Sequence, residues 1–158
     1  MKVIKLLAAF FCSLLAVSCS TYNIQAINVP EGPSATVVVY RPHYISGANA
    51  PVVITIDGVD IALLRNNTYL EVPIRPGSRV LSVRGFRVGR ADEKEMTFRE
   101  NTVVILKVDK PDSSVAIAAV PLAMHLSKLY YLVEDQSLTL DEVKGKFARV
   151  NVGLNQSK

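Results

Sequence analysis

Asp57-Gly58 sits between two runs of β-branched and aliphatic residues, 52–56 and 59–64. A two-residue Asp-Gly link favours a tight hairpin, because its central residues take positive φ and glycine does so without strain. The rest of the chain repeats this texture. Residues 35–40 are β-branched and stop at Arg41-Pro42, where proline has no N–H to give to a ladder. Arg65-Asn66-Asn67 reads as a turn, followed by a strand over 69–74 that Pro76-Gly77 closes. Residues 78–86 alternate, with Leu81 and Val83 on one face and Ser82 and Arg84 on the other. Further strands are predicted over 93–98, 102–108 and 114–120, with Lys110-Pro111-Asp112 turning between the last two. Turn signals recurring about every eight to twelve residues predict an all-β fold, an antiparallel β-sandwich of about seven to nine strands.

The C-terminal part is more mixed. Leu122, Leu126, Leu129, Tyr130 and Val133 fit helical spacing, while 129–133 also suits a buried strand, the reading we favour. Residues 140–146 predict one helical turn, with Asp141 and Glu142 near its start where carboxylates suit the dipole. Residues 147–152 alternate as a last strand. The sandwich is thus expected over 35–153, with a polar tail at 154–158.

Lys2 and Lys5 precede an apolar run over 6–17, too short to span a membrane as a mature helix and laid out as a secretory signal peptide. Ala16-Val17-Ser18-Cys19 resembles the lipobox of bacterial lipoproteins, in which small residues precede a cysteine that is acylated before cleavage. The lipobox usually has leucine where this chain has Ala16, and Leu14 and Leu15 lie just upstream. On this reading 1–18 is a lipoprotein signal peptide, Cys19 carries the lipid, and 19–34 is a lipidated tether. An ordinary cut nearby is the rival reading. Ile24 and Ile27 give the tether an alternative, packing on the domain as an extra strand.

Losing Lys2 and Lys5 leaves 16 of the 18 basic residues against 14 acidic ones, so the mature charge is weak evidence for a polyanion partner. Cys12 leaves with the signal, and an acylated Cys19 leaves no thiol for a disulfide, a nucleophile or a metal.

Within residues 37–86 the order Val39-Tyr40-Arg41-Pro42, Ile54-Thr55-Ile56-Asp57-Gly58, Tyr69, Pro76-Gly77, Val80-Leu81-Ser82-Val83 and Gly85-Phe86 resembles a bacterial envelope lipoprotein family of uncharacterised function with a PEGA-like β-sandwich domain. The chain departs from PEGA-type repeats in lacking a Thr-Pro pair after Asp57-Gly58. It has Arg79 where the lipoprotein family often has histidine. The resemblance implies a fold and brings no catalytic residues with it.

No nucleophile elbow, zinc-protease or phosphate-loop pattern occurs. His43 and His125 have no metal-ligand spacing, and we expect neither metal nor cofactor. Asp57 and Asp60 are close enough to suggest a carboxylate pair, but beside Gly58 they read as turn-shaping residues. Arginine is unevenly placed: Arg65, Arg75, Arg79, Arg84, Arg87 and Arg90, with no acid between Arg75 and Arg90. Guanidinium groups suit bidentate contact with phosphate or carboxylate. Arg84, Arg87 and Arg90 form a candidate anion-binding rim. The plain alternative is a basic edge that discourages strand pairing, with partners among Asp92, Glu93 and Glu95. Bases interleaved with aromatics for a nucleic acid are missing.

The expected function is non-enzymatic: a lipid-anchored envelope protein that binds or scaffolds another envelope component, an anionic polymer or a protein. Membrane contact would run through the acyl chains. Ser20, not aspartate, follows Cys19, which by resemblance to enterobacterial sorting points to the periplasmic face of the outer membrane. The alternative is an envelope enzyme, such as a glycan hydrolase, with an unrecognised carboxylate site.

Overall fold

The computed structural model describes residues 24–44, 50–86, 88–110, 129–152 and 154–155. The expected strand over 114–120, His125, Cys19 and the signal peptide lie outside these residues, as does Arg87.

The strands are β1 (Ile27–Asn28), β2 (Ala35–Arg41), β3 (Val52–Ile56), β4 (Val59–Leu64), β5 (Thr68–Ile74), β6 (Gly77–Gly85), β7 (Val88–Phe98), β8 (Val103–Asp109) and β9 (Tyr131–Glu134). Helix α1 (Leu140–Lys146), β10 (Ala148–Arg149) and β11 (Leu154–Asn155) follow. A five-stranded sheet in the order β10-β5-β2-β8-β9 faces a four-stranded sheet in the order β4-β3-β6-β7. The predicted all-β sandwich is therefore the fold. The four-stranded sheet is antiparallel throughout, while the five-stranded one is mixed, since β2 runs parallel to β8 and β10 parallel to β5. Between β2 and β8 the chain crosses to the other sheet and back twice, setting β5 antiparallel on one side of β2 and β8 parallel on the other.

Asp57-Gly58 forms the predicted hairpin, with φ of 50° and 78°, the two positive angles of a type I′ turn. Asn67 and Asn101 also take positive φ, which asparagine tolerates in turns. The β3–β4 ladder slips one residue, pairing Ile54 with Ala62 but Thr55 with Asp60. This bulge lets the neighbours Ile61 and Ala62 both bury against the core, which plain alternation forbids.

The inner faces supply the core. Val37, Val39, Leu70, Val72 and Leu106 of one sheet meet Val52, Ile54, Ile61, Leu64, Leu81 and Val83 of the other. Burying each such side chain is worth about 1.5–3 kcal/mol. Leu81 and Val83 point inward as expected. Ser82, on the other face, is nonetheless buried and shares a hydrogen bond with the Thr55 hydroxyl.

The outer face of the five-stranded sheet carries a second cluster. Val38, Tyr40 and Tyr69 pack against Val143 of α1, and the Phe147 ring lies 4.8 Å from that of Tyr40. The helix has two turns where one was expected. Thr139 caps it: its hydroxyl accepts from the Glu142 N–H, and the Glu142 carboxylate accepts from the Thr139 N–H. The strand expected over 147–152 shortens to β10. Beyond it Val150 and Val152 turn in against the main core.

The expected tether differs most. Residues 24–34 follow the domain: β1 pairs in parallel with β11, Gln25 N–H donates to the Asp60 carbonyl at 3.0 Å, and Ile27 packs on the core. The tail likewise contributes Leu154 and Asn155 to this pairing. The alternative of an extra strand holds for Ile27, while Ile24 stays exposed.

Candidate functional site

The hairpin aspartates and the strand β6 arginines meet through the β3–β6 ladder. Thr55 pairs with Ser82, and Val53 with Arg84, which sets Asp57 beside Arg79 and Asp60 beside Arg84. Arg84 Nη2 lies 2.9 Å from Asp60 Oδ2, and Arg79 Nη1 lies 3.0 Å from Asp57 Oδ2. The other Asp57 oxygen accepts from the Val80 N–H at 3.0 Å. The plain alternative had sought acid partners for these arginines at Asp92, Glu93 and Glu95. For Arg79 and Arg84 the hairpin supplies Asp57 and Asp60, which therefore do more than shape a turn.

The expected rim is thus divided. Arg84 is half-buried and engaged by Asp60. Arg90 is exposed on β7, in the irregular stretch between the Val83–Asp92 and Gly85–Val88 pairs, across the ladder from Arg84. Arg87 falls outside the described residues.

A different basic feature lies where β1 crosses the open end of the sandwich. A cleft of about 320 Å³ is lined by Ile27, Ile56, Ile74, Asp57, Arg75 and Arg79, with Asn28, Pro30 and Pro73 at its margin. A second hollow of about 270 Å³ shares Ile27, Ile56 and Ile74 with it and adds Gln25, Ala26 and Val59. Gly77, at φ 115°, turns the chain so that Arg75 and Arg79 flank one mouth. The size falls at the low end of small-ligand sites, and polar and apolar groups line the cleft in about equal measure. Arg75 and Arg79 stand out in the sequence as part of the arginine cluster, with nothing there to join them to Ile27. The missing signal was that the expected tether packs on the domain.

The opposite end holds a cluster of tyrosines and charges. Arg41 is fully buried at the end of β2, its Nη1 donating to the carbonyls of Ala50 and Leu64 at 2.8 and 3.1 Å, and its guanidinium lies 5.3 Å from the Tyr130 ring. Burial pulls its pKa down, while Tyr130 and Tyr44 oppose that. Tyr44 donates to Asp109 at 2.8 Å, and Lys107 Nζ lies 2.8 Å from the same carboxylate. Burial pushes Asp109 up, but bonds from Lys107, Tyr44 and the Lys110 N–H outweigh it and leave the carboxyl below its ordinary range. Burial and the nearby Arg41 charge lower Lys110. Burial and the bond to Asp135 raise the Tyr40 hydroxyl, while Ser137 and Tyr40 hold Asp135 low. These bonds fix the sandwich end, although the buried Arg41 Nε has no hydrogen-bond partner among the described residues. His43 is exposed beside this cluster. No group of three or more His, Cys, Asp or Glu residues that could hold a metal occurs among the described residues.

No family model matches the chain, and no curated protein matches it. Among the described residues no helix is long and apolar enough to cross a membrane. What the fold and this geometry define is a class, an all-β two-sheet sandwich with a basic, apolar-floored cleft at the end where its N-terminal segment joins.

Proposed function

We propose that this chain is a lipid-anchored bacterial envelope protein whose sandwich is a non-catalytic binding or scaffolding module for another envelope component, on the periplasmic face of the outer membrane. The observation that carries the reading is the Lys-rich start, apolar run and Ala16-Val17-Ser18-Cys19 set a few residues before the chain docks on the sandwich at Gln25. Two or three acyl chains, at roughly 0.8 kcal/mol per buried methylene, hold a small domain to a bilayer stably. The likeness of 37–86 to PEGA-like lipoproteins supports the same reading. So does the chemistry of the described polar groups, which are engaged in structural bonds at one end and form a shallow basic cleft at the other.

Metabolic labelling with an alkyne palmitate tests the anchor. The parent should carry label and, by intact mass, begin at an acylated Cys19. Cys19→Ala should carry none. Label retained by Cys19→Ala, or a parent mass without acyl chains, would sink the anchor. Crosslinking in cells, followed by mass spectrometry, then tests whether the parent holds an envelope component that Cys19→Ala loses.

A further inference from the structure

The cleft beside β1 brings two guanidinium groups over three isoleucines, Ile27, Ile56 and Ile74. Arg79 is already positioned: Asp57 accepts from its Nη1 at 3.0 Å, and the Arg75 carbonyl accepts from its Nε at 3.4 Å. Arg75 is exposed, and its side chain enters no ion pair among the described residues. The lining therefore carries two cations against one carboxylate. A guanidinium fork above a hydrocarbon floor suits a ligand that joins phosphate oxygens to aliphatic carbon.

The position of the cleft chooses between sources of such a ligand. Its wall is the segment that leads back to Cys19. Five residues separate Cys19 from Gln25, a span of at most about 22 Å. A lipid on Cys19 would hold this end of the sandwich against the bilayer surface, where anionic headgroups are concentrated.

Resting on the lipid-anchor reading, we infer that this cleft binds the headgroup of an anionic phospholipid in the membrane that carries the anchor. The phosphate meets Arg75, with Arg79 held beside it by Asp57. The glycerol carbons lie against Ile27, Ile56 and Ile74. Binding here sets the orientation of the sandwich on the bilayer, with the β3–β4 and β5–β6 turns toward the lipid and the Arg41–Tyr130 end outward.

The test uses the full-length protein, purified in detergent micelles as cells process it, and native mass spectrometry with four probes: phosphatidylglycerol, phosphatidylcholine, glycerol 3-phosphate and a muropeptide. The parent should retain phosphatidylglycerol about tenfold better than phosphatidylcholine, as one charge-assisted contact allows. Arg75→Gln should reduce retention to the phosphatidylcholine level, and Arg75→Lys should restore part of it. Arg90→Gln should bind as the parent does. Unchanged melting temperatures would assign the loss to the site. Equal retention by Arg75→Gln and parent overturns the inference. So does glycerol 3-phosphate binding as well as the lipid, or the muropeptide binding better. The same spectra judge the anchor separately. A chain without acyl mass on Cys19 that still binds through Arg75 overturns the anchor and not the cleft, and an acylated chain indifferent to phosphatidylglycerol does the reverse.

Discussion

Arg41 carries the most exacting local chemistry. A fully buried cation survives because two carbonyls accept from it and the Tyr130 ring faces it. Arg41→Met keeps much of the volume but leaves the Ala50 and Leu64 carbonyls without this donor. We expect a loss of about 2–4 kcal/mol, read as a lower urea midpoint at unchanged slope. Nearby, Asp135 and Asp109 have depressed pKa values in the folded state. Their contribution to stability is present above the unfolded aspartate value of about 3.9 and is lost as pH falls through the folded values. Stability should therefore be steady at mildly acidic pH and decline below about pH 4. Tyr40→Phe removes the bond to Asp135, so its acid decline should be shallower than the parent's. Tyr40 works with the opposite sign. Its raised pKa gives stability that is complete below the unfolded tyrosine value of about 10 and is lost as pH rises through the folded one, a loss Tyr40→Phe should not show. Urea midpoints across pH for parent and variant check both limbs, and identical profiles would count against this assignment.

At the scale of elements, turn chemistry was the most readable part of the sequence. Strands β3 and β4 fall where the runs flanking Asp57-Gly58 put them, because a two-residue I′ turn fixes both strand ends and the register near them. Gly58→Ala meets open space, so its cost is that of the positive φ alone, about 1 kcal/mol by urea unfolding. The Ile61–Ala62 bulge was not readable, since both residues are apolar and the pattern shows no break. Residues 147–152 misled because alternation does not name a partner: β10 has β5 for two residues, and then the core takes Val150 and Val152. The arginine cluster was legible as a cluster. Its pairing was not, because Asp57 and Asp60 reach Arg79 and Arg84 only through a ladder joining residues more than twenty positions apart. Helix α1 gives another test at this scale. Val143→Ala trims the one buried side chain of the helix, which packs on Val38, Tyr40 and Tyr69, at about 2 kcal/mol, and Thr139→Ala removes its cap, at about 1 kcal/mol. Thermal melts should rank the two in that order.

Across the whole molecule, the first and last described segments close on each other. β1 and β11 pair, so residues 27–28 and 154–155 share one small ladder over the Ile56–Ile74 end of the core. Two residues a side make a weak ladder. It holds because Ile27 also packs on the main core and Gln25 is bonded to Asp60. The docking of the N-terminal segment thus depends on the C-terminal one, and the cleft depends on both, since β1 is one of its walls. Ending the chain after Val152 should therefore act at a distance in sequence. Amide exchange should rise over residues 25–28 while β2, β3 and β6 remain protected, because the two-sheet core does not need β11. Ile27→Ala should loosen the same amides from the other side, at about 1–2 kcal/mol for a partly buried isoleucine. If the truncated chain keeps slow exchange at Ile27 and Asn28, then β1 is fixed by its core contact alone, and the C-terminal segment is a passenger on the cleft rather than part of its frame.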